Sequence, residues 1–202
     1  MDALIKRDEL AADSPHFIGC WQFTELSLCD ELIKFFESHP ENQTQGKTAG
    51  GLNLDSKNST DLTIRPRELE QEDHKAVRDY LDLLMACHQD YLTQWPFLKQ
   101  VMPRAELSSF NIQRYDPGGH FLKLHSERTT VATSHRVLAW MTYLNDVEDG
   151  GSTRFEHQNL DVQPRKGRTL IWPAEWTHAH KANVLNSGVK YIITGWMHFP
   201  SA

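Results

Sequence analysis

The sequence predicts an α+β chain, a mainly helical first half followed by a sandwich or barrel of short strands. Two observations carry this. Apolar residues recur at helical spacing before residue 95, and after about residue 105 short β-branched and aromatic runs alternate with turn residues. The length, 202 residues, suits one domain spanning 1–202, with 1–104 as helical support plus a polar loop and 105–202 as the strand-rich core.

The first helix is expected to open at Ser27-Leu28-Cys29-Asp30, with Ser27 as N-cap and Asp30 near the positive end of the helix dipole. Leu28, Leu32, Phe35 and Phe36 then fall on one face, and His39-Pro40 ends the helix. Residues 41–61, rich in Gly, Asn, Ser and Thr, read as a long polar loop of the kind that serves as a lid. A second helix covers 70–94, with Val77, Leu81, Leu84, His88, Tyr91 and Leu92 on a core-facing stripe. Strands follow at Leu107–Tyr115, Arg136–Asn145, Ser152–Phe155, Arg168–Trp172 and Val189–His198. Asp116-Pro117-Gly118-Gly119, Asp149-Gly150-Gly151 and Asn186-Ser187-Gly188 supply the turns.

Composition excludes several classes. Hydrophobic residues make up 39% and charged residues 24%, so a disordered chain is not expected. A net charge of −6 without a Lys/Arg cluster argues against nucleic acid as a partner. Cys20, Cys29 and Cys87 form no CxxC pair and read as reduced thiols. The segment Met1–Glu9 has no apolar signal-peptide core, and no apolar run reaches membrane-spanning length. A cytoplasmic location is expected.

Three features carry chemistry. In an extended segment, His125 and Glu127 of His125-Ser126-Glu127 point to one side. Some fifty residues later, Trp176-Thr177-His178-Ala179-His180 offers a second imidazole. Two histidines and a carboxylate that leave one metal face open are the ligand set of non-haem iron(II) oxygenases. His178 and His180 are both able to face inward, and the ten-residue interval to Lys190 favours His180. Lys190 follows the Asn186-Ser187-Gly188 turn, which returns the chain beside the His180 strand. A lysine buried there requires an anion to pair with.

The stretch Tyr115–Trp196 resembles the 2-oxoglutarate/iron(II) dioxygenases of the prolyl 4-hydroxylase type. The resemblance rests on Tyr115-Asp116-Pro117-Gly118-Gly119-His120-Phe121, His125-Ser126-Glu127, Tyr143-Leu144-Asn145 and Gly150–Phe155. It continues through Gly167-Arg168, His180, Gly188-Val189-Lys190-Tyr191 and Thr194-Gly195-Trp196. It implies a double-stranded β-helix, or jelly roll, supported by the N-terminal helices. It implies iron(II) held by His125, Glu127 and His180. Lys190 would pair with the distal carboxylate of 2-oxoglutarate, helped by Tyr115 and Thr194, with Tyr143 near the same pocket. Dioxygen would be consumed, and a prolyl or other peptidyl residue hydroxylated with release of succinate and carbon dioxide. A free amino acid or small metabolite is the alternative substrate, and a non-catalytic barrel that binds a ligand or partner is the other reading. The family's usual motif is His-x-Asp. Glu127 departs from it by one methylene but keeps the charge, and is expected to ligate.

The remaining candidates have plainer readings. Trp140, Trp172 and Trp196 are expected in the core. Arg114 and Arg154 flank the expected pocket, with solvation their default. His120 and Lys57-Asn58-Ser59-Thr60-Asp61 are candidates for substrate contact.

Overall fold

A computed structural model describes residues 5–8, 15–48 and 50–200, so most of the Met1–Glu9 segment lies outside the described residues. The strands are β1 (Ile5–Arg7), β2 (Gly19–Phe23), β3 (Gln43–Gln45), β4 (Lys57–Asn58), β5 (Thr60–Ile64), β6 (Glu106–Leu107) and β7 (Phe110–Tyr115). They continue as β8 (His120–His125), β9 (Arg136–Tyr143), β10 (Thr153–Phe155), β11 (Leu160–Val162), β12 (Arg168–Pro173), β13 (His180–Ala182) and β14 (Lys190–His198). The helices are α1 (Ser27–Glu37), α2 (Lys75–Gln94) and α3 (Pro96–Val101).

Among the described residues, the larger sheet runs β1-β2-β12-β9-β14-β7-β5-β3, with β6 also on β14. The smaller runs β11-β10-β13-β8-β4. Every pairing is antiparallel, and most sheet neighbours are distant in sequence, as a double-stranded β-helix requires. The central strand β9 is buried on both faces. Leu138 and Trp140 join the cluster under the helices, while Ala139, Met141 and Tyr143 join the cluster between the sheets. That double burial explains its continuous run of large apolar residues.

Helix α2 covers the outer face of the larger sheet. Val77, Tyr80, Leu84, Cys87 and Tyr91 are buried at three- and four-residue intervals. The Tyr80 hydroxyl meets Thr142 Oγ1 at 2.9 Å, and Thr142 Oγ1 meets Thr169 Oγ1 at 2.7 Å, so polar groups are satisfied where helix and sheet touch. All three cysteines are free and buried. Burial pushes the thiols up, to about 12 for Cys20 and about 11 for Cys29. No helix among the described residues is long and apolar enough to cross a membrane.

The structure differs from expectation at several points. Ser27 lies in the first turn of α1 rather than capping it, because Leu26 already has helical angles and the Glu25 carboxylate accepts the Ser27 N–H at 3.0 Å. The 41–61 segment is not one long loop. Its ends form β3, β4 and the start of β5, leaving a shorter polar loop between Gly46 and Ser56. Residues before 105 therefore add strands to both sheets, besides the helices. Arg114 and Arg154, by contrast, keep the solvated place expected of them by default. They alternate with buried Gln113, Tyr115, Thr153 and Phe155, and pair outside with Asp116 and Asp161.

Candidate active site

Strand β8 ends at His125, and its cross-strand partner in β13 is His180. The two imidazoles lie 4.4 Å apart, centroid to centroid. Phe121, two pleat repeats earlier on the same face, stacks on His125 at 3.9 Å, and Trp172 meets His180 edge-to-face at 5.1 Å. Aromatic packing thus fixes both rings. The Nδ1 atom of His125 donates to the Lys123 carbonyl at 2.8 Å, and that of His180 to the His178 carbonyl at 2.9 Å. A carbonyl only accepts, so each Nδ1 carries a hydrogen and each Nε2 is the atom turned to the common centre.

Glu127, in the loop after β8, completes the group. Its Oε1 lies 3.5 Å from His125 Nε2 and 3.3 Å from His180 Nε2. The ligand atoms of the three residues fall within 4.8 Å of one another. Two ring nitrogens and a carboxylate oxygen converge there, and such a set needs a cation among them, either a proton or a metal ion. With a proton, the effect is visible on Glu127. Burial raises its carboxyl, but hydrogen bonds and charge from both imidazoles outweigh this and hold it well below the usual carboxylate range. His178 does not share the centre. It is buried elsewhere, with Nε2 donating to the His16 carbonyl at 2.8 Å.

Deeper in the barrel lies Lys190, 1% exposed. Its Nζ donates to the Gly151 carbonyl at 2.8 Å and sits 4.4 Å from the Tyr115 ring centroid. No carboxylate pairs with it among the described residues, and burial lowers its ammonium from 10.5 to about 7. Gly151 adopts a left-handed φ of +66°, and a Cβ there would lie 3.3 Å from Lys190 Cδ, so both the turn and the lysine's path favour glycine. Strand alternation puts Lys190, Ile192, Thr194 and Trp196 on the inner face.

The structure thus brings Tyr115 to Lys190, through its ring. The hydroxyls of all three predicted helpers are engaged within the protein. Tyr115 donates to Gln113 at 2.8 Å, Tyr143 to Thr153 Oγ1 at 2.6 Å, and Thr194 to the Trp140 carbonyl at 2.8 Å. Lys57 and Asp61 do not line the mouth as substrate contacts. They are buried and paired at 2.6 Å, and Ser59 and Gln113 also bond the Asp61 carboxylate. His120 bonds the carbonyls of Gly118 and Asp55.

Two residues at the centre escape a reading of the sequence alone. Trp196, expected as core, donates its indole N–H to Glu127 Oε2 at 2.7 Å. Arg136 donates to the Glu127 backbone carbonyl at 3.0 Å and lies 3.6 Å over the Trp196 ring. The available signal was alternation: Trp196 lies six residues from Lys190 and therefore on its face.

The chain is similar to known proteins in sequence and in fold. Residues 110–198 match the family model described as the 2OG-Fe(II) oxygenase superfamily. A probable prolyl 4-hydroxylase 9 of Arabidopsis thaliana is 28% identical over 123 residues, covering 48% of this chain. The chain spans only 43% of that relative's length. A prolyl-4-hydroxylase of Pseudomonas putida shares the fold at a TM-score of 0.68 and 17% identity, over 93% of this chain and 95% of that one. A prolyl hydroxylase of Trichoplax adhaerens, solved with a hypoxia inducible factor peptide fragment, gives 0.71 at 14% identity, over 92% and 84%. Residues 110–198 are thus similar to the 2OG-Fe(II) oxygenase superfamily, and the chain is similar in sequence and in fold to prolyl 4-hydroxylases.

Proposed function

We propose that the protein is an iron(II)- and 2-oxoglutarate-dependent hydroxylase in which His125, Glu127 and His180 bind iron and Lys190 binds the distal carboxylate of 2-oxoglutarate. The observation that carries this reading is the convergence of three metal-donor atoms above a buried, carboxylate-free lysine. Both groups fit the residues present: the donor set suits a divalent metal with open positions, and a buried ammonium calls for an anion. When bound, iron(II) supplies the redox chemistry that divides dioxygen between 2-oxoglutarate, which leaves as succinate and carbon dioxide, and a substrate C–H bond, which becomes C–OH.

The chain's own residues would bind, orient and exclude water. The Nδ1 hydrogen bonds hold His125 and His180 with Nε2 forward. Phe121, Phe155 and Trp172 pack against the two rings and keep that side dry. Tyr115 presents its ring face to the Lys190 ammonium, a contact of about 0.5–2 kcal/mol that favours the charged form. Tyr143 and Thr194 would turn their hydroxyls from Thr153 and the Trp140 carbonyl to the bound carboxylate. The substrate class we favour is a peptidyl residue, prolyl in the first instance. The fold likeness to a hydroxylase solved with a peptide supports it. The unpaired cysteines favour the cytoplasm as its location.

Anaerobic addition of iron(II) and then 2-oxoglutarate is expected to produce a visible charge-transfer band, and proline-containing peptides in air are expected to release succinate. Absence of the band in the folded protein would sink the proposal.

Lys190 adds a pH dependence. The folded group titrates at about 7 and an unfolded lysine near about 10.4, so between these values the unfolded chain holds the extra proton. The ligand-free protein should therefore gain stability as pH rises through that window. A dianion needs the protonated lysine, so binding at pH 8 should take up close to one proton, and affinity should fall as pH rises. Calorimetry in buffers of different ionisation heat measures this. Zero uptake would remove Lys190 as the anchor.

A further inference from the structure

From the contacts around Glu127 we infer that Trp196, steadied by Arg136, is a positioning residue that holds one carboxylate oxygen of Glu127 off the metal, so that this ligand offers a single oxygen and leaves coordination positions open. The inference rests on the metal site proposed above. The two oxygens of Glu127 have different surroundings. Oε1 faces both imidazole Nε2 atoms, at 3.5 and 3.3 Å. Oε2 faces away from them and accepts the indole N–H at 2.7 Å, with an Arg136 nitrogen 3.9 Å from it.

Arg136 serves the same arrangement in two other ways. Its guanidinium carbon lies over the indole, 3.6 Å from the ring centroid, which limits rotation of the ring. It also bonds the Glu127 backbone carbonyl at 3.0 Å, so the start of the side chain and its far oxygen are tied to one unit. The Arg128 N–H bonds the Ala174 carbonyl at 3.1 Å, and the Arg128 side chain pairs with Glu175, anchoring the residue that follows.

The length of glutamate gives the clamp its purpose. Its extra methylene adds a rotatable bond, and an unrestrained carboxylate at that distance is free to chelate through both oxygens. Chelation would fill a position that a co-substrate or dioxygen needs. The indole prevents it by engaging Oε2 in a hydrogen bond to a charged acceptor, a class stronger than neutral pairs. Loss of a group that orients a metal ligand typically weakens metal binding by about 10–100-fold.

The test uses the full chain and cobalt(II) alone, whose visible absorption weakens as coordination number rises. Kd and spectrum are measured for the wild type, Trp196→Phe, Glu127→Asp and the double variant, each with a melting curve. Trp196→Phe is expected to bind cobalt about 10-fold or more weakly, with a lower band intensity and with 2-oxoglutarate competing less well for the metal. Glu127→Asp cannot span both indole and metal and is expected to weaken binding too. The double variant should be little worse than the weaker single, because both break one linkage. Arg136→Gln is the second probe should Trp196→Phe fold poorly, and it is expected to shift Kd and spectrum the same way. Wild-type affinity and spectrum in both Trp196→Phe and Arg136→Gln would overturn the inference, as would losses that multiply in the double variant. Failure of the wild type itself to bind cobalt would instead overturn the metal site beneath it.

Discussion

Replacing His180 by alanine should abolish turnover and lower metal affinity by more than the roughly 10–100-fold that loss of an orienting group costs. Its Nε2 is one of the three donors that converge among the described residues, and it lies 3.3 Å from Glu127 Oε1. Removing it leaves His125 and Glu127, too few to hold a divalent ion against water. The ring is also packed by Phe155 and Trp172, so alanine leaves a gap, and the melting temperature should fall as well. His180→Gln separates the two effects. It fills most of the gap yet supplies no imidazole, so stability should largely recover while metal binding and succinate release stay lost. Activity comparable to wild type in either variant would remove His180 from the site.

Asp61→Asn should cost about 3–5 kcal/mol of stability, the usual penalty for stripping one partner from a buried ion pair. The Asp61 carboxylate accepts from Lys57 Nζ at 2.6 Å, Ser59 Oγ at 2.7 Å and Gln113 Nε2 at 3.1 Å, and both Lys57 and Asp61 are almost fully buried. An amide at this place offers one acceptor oxygen, turns two N–H groups on donors and leaves the ammonium unmatched. For a chain of this size the loss corresponds to roughly 10 °C in Tm. Gly46 closes over the network: a Cβ there would lie 2.2 Å from Ser59 Oγ, so the segment entering the polar loop has no room for a side chain. Damage should also reach the metal site, because Lys57 lies 5.6 Å from the Phe121 ring that stacks on His125. The companion variant Lys57→Met/Asp61→Leu removes both charges and should melt well above Asp61→Asn. Equal melting of the two would show that charge burial is not the cause.

The residues that meet at the candidate site were largely readable because strand geometry is regular. Alternation in the His125–Glu127 stretch needs no tertiary information. The turn before Lys190 does not return the chain beside the His180 strand as expected: it crosses to the larger sheet, where β14 pairs with β7 and β9. The Trp196–Glu127 bond links positions 69 apart in sequence and exists only once β14 and the loop after β8 are folded together. Strands such as Lys57–Asn58 and Thr60–Ile64 were hidden for another reason. They are short and polar, and their pairing with β8 and β7 decides their conformation more than any preference of their own. The inward pair Lys57–Asp61 read as a candidate substrate contact because a buried charge and a solvated one have the same letters.

The indole of Trp196 has an optical consequence. Of six tryptophans in the chain, Trp196 bonds a member of the donor set and Trp172 meets another edge-on. A paramagnetic ion arriving there should quench the emission of these two far more than that of the rest. The protein thus carries its own gauge of metal loading, readable in a fluorimeter without any label.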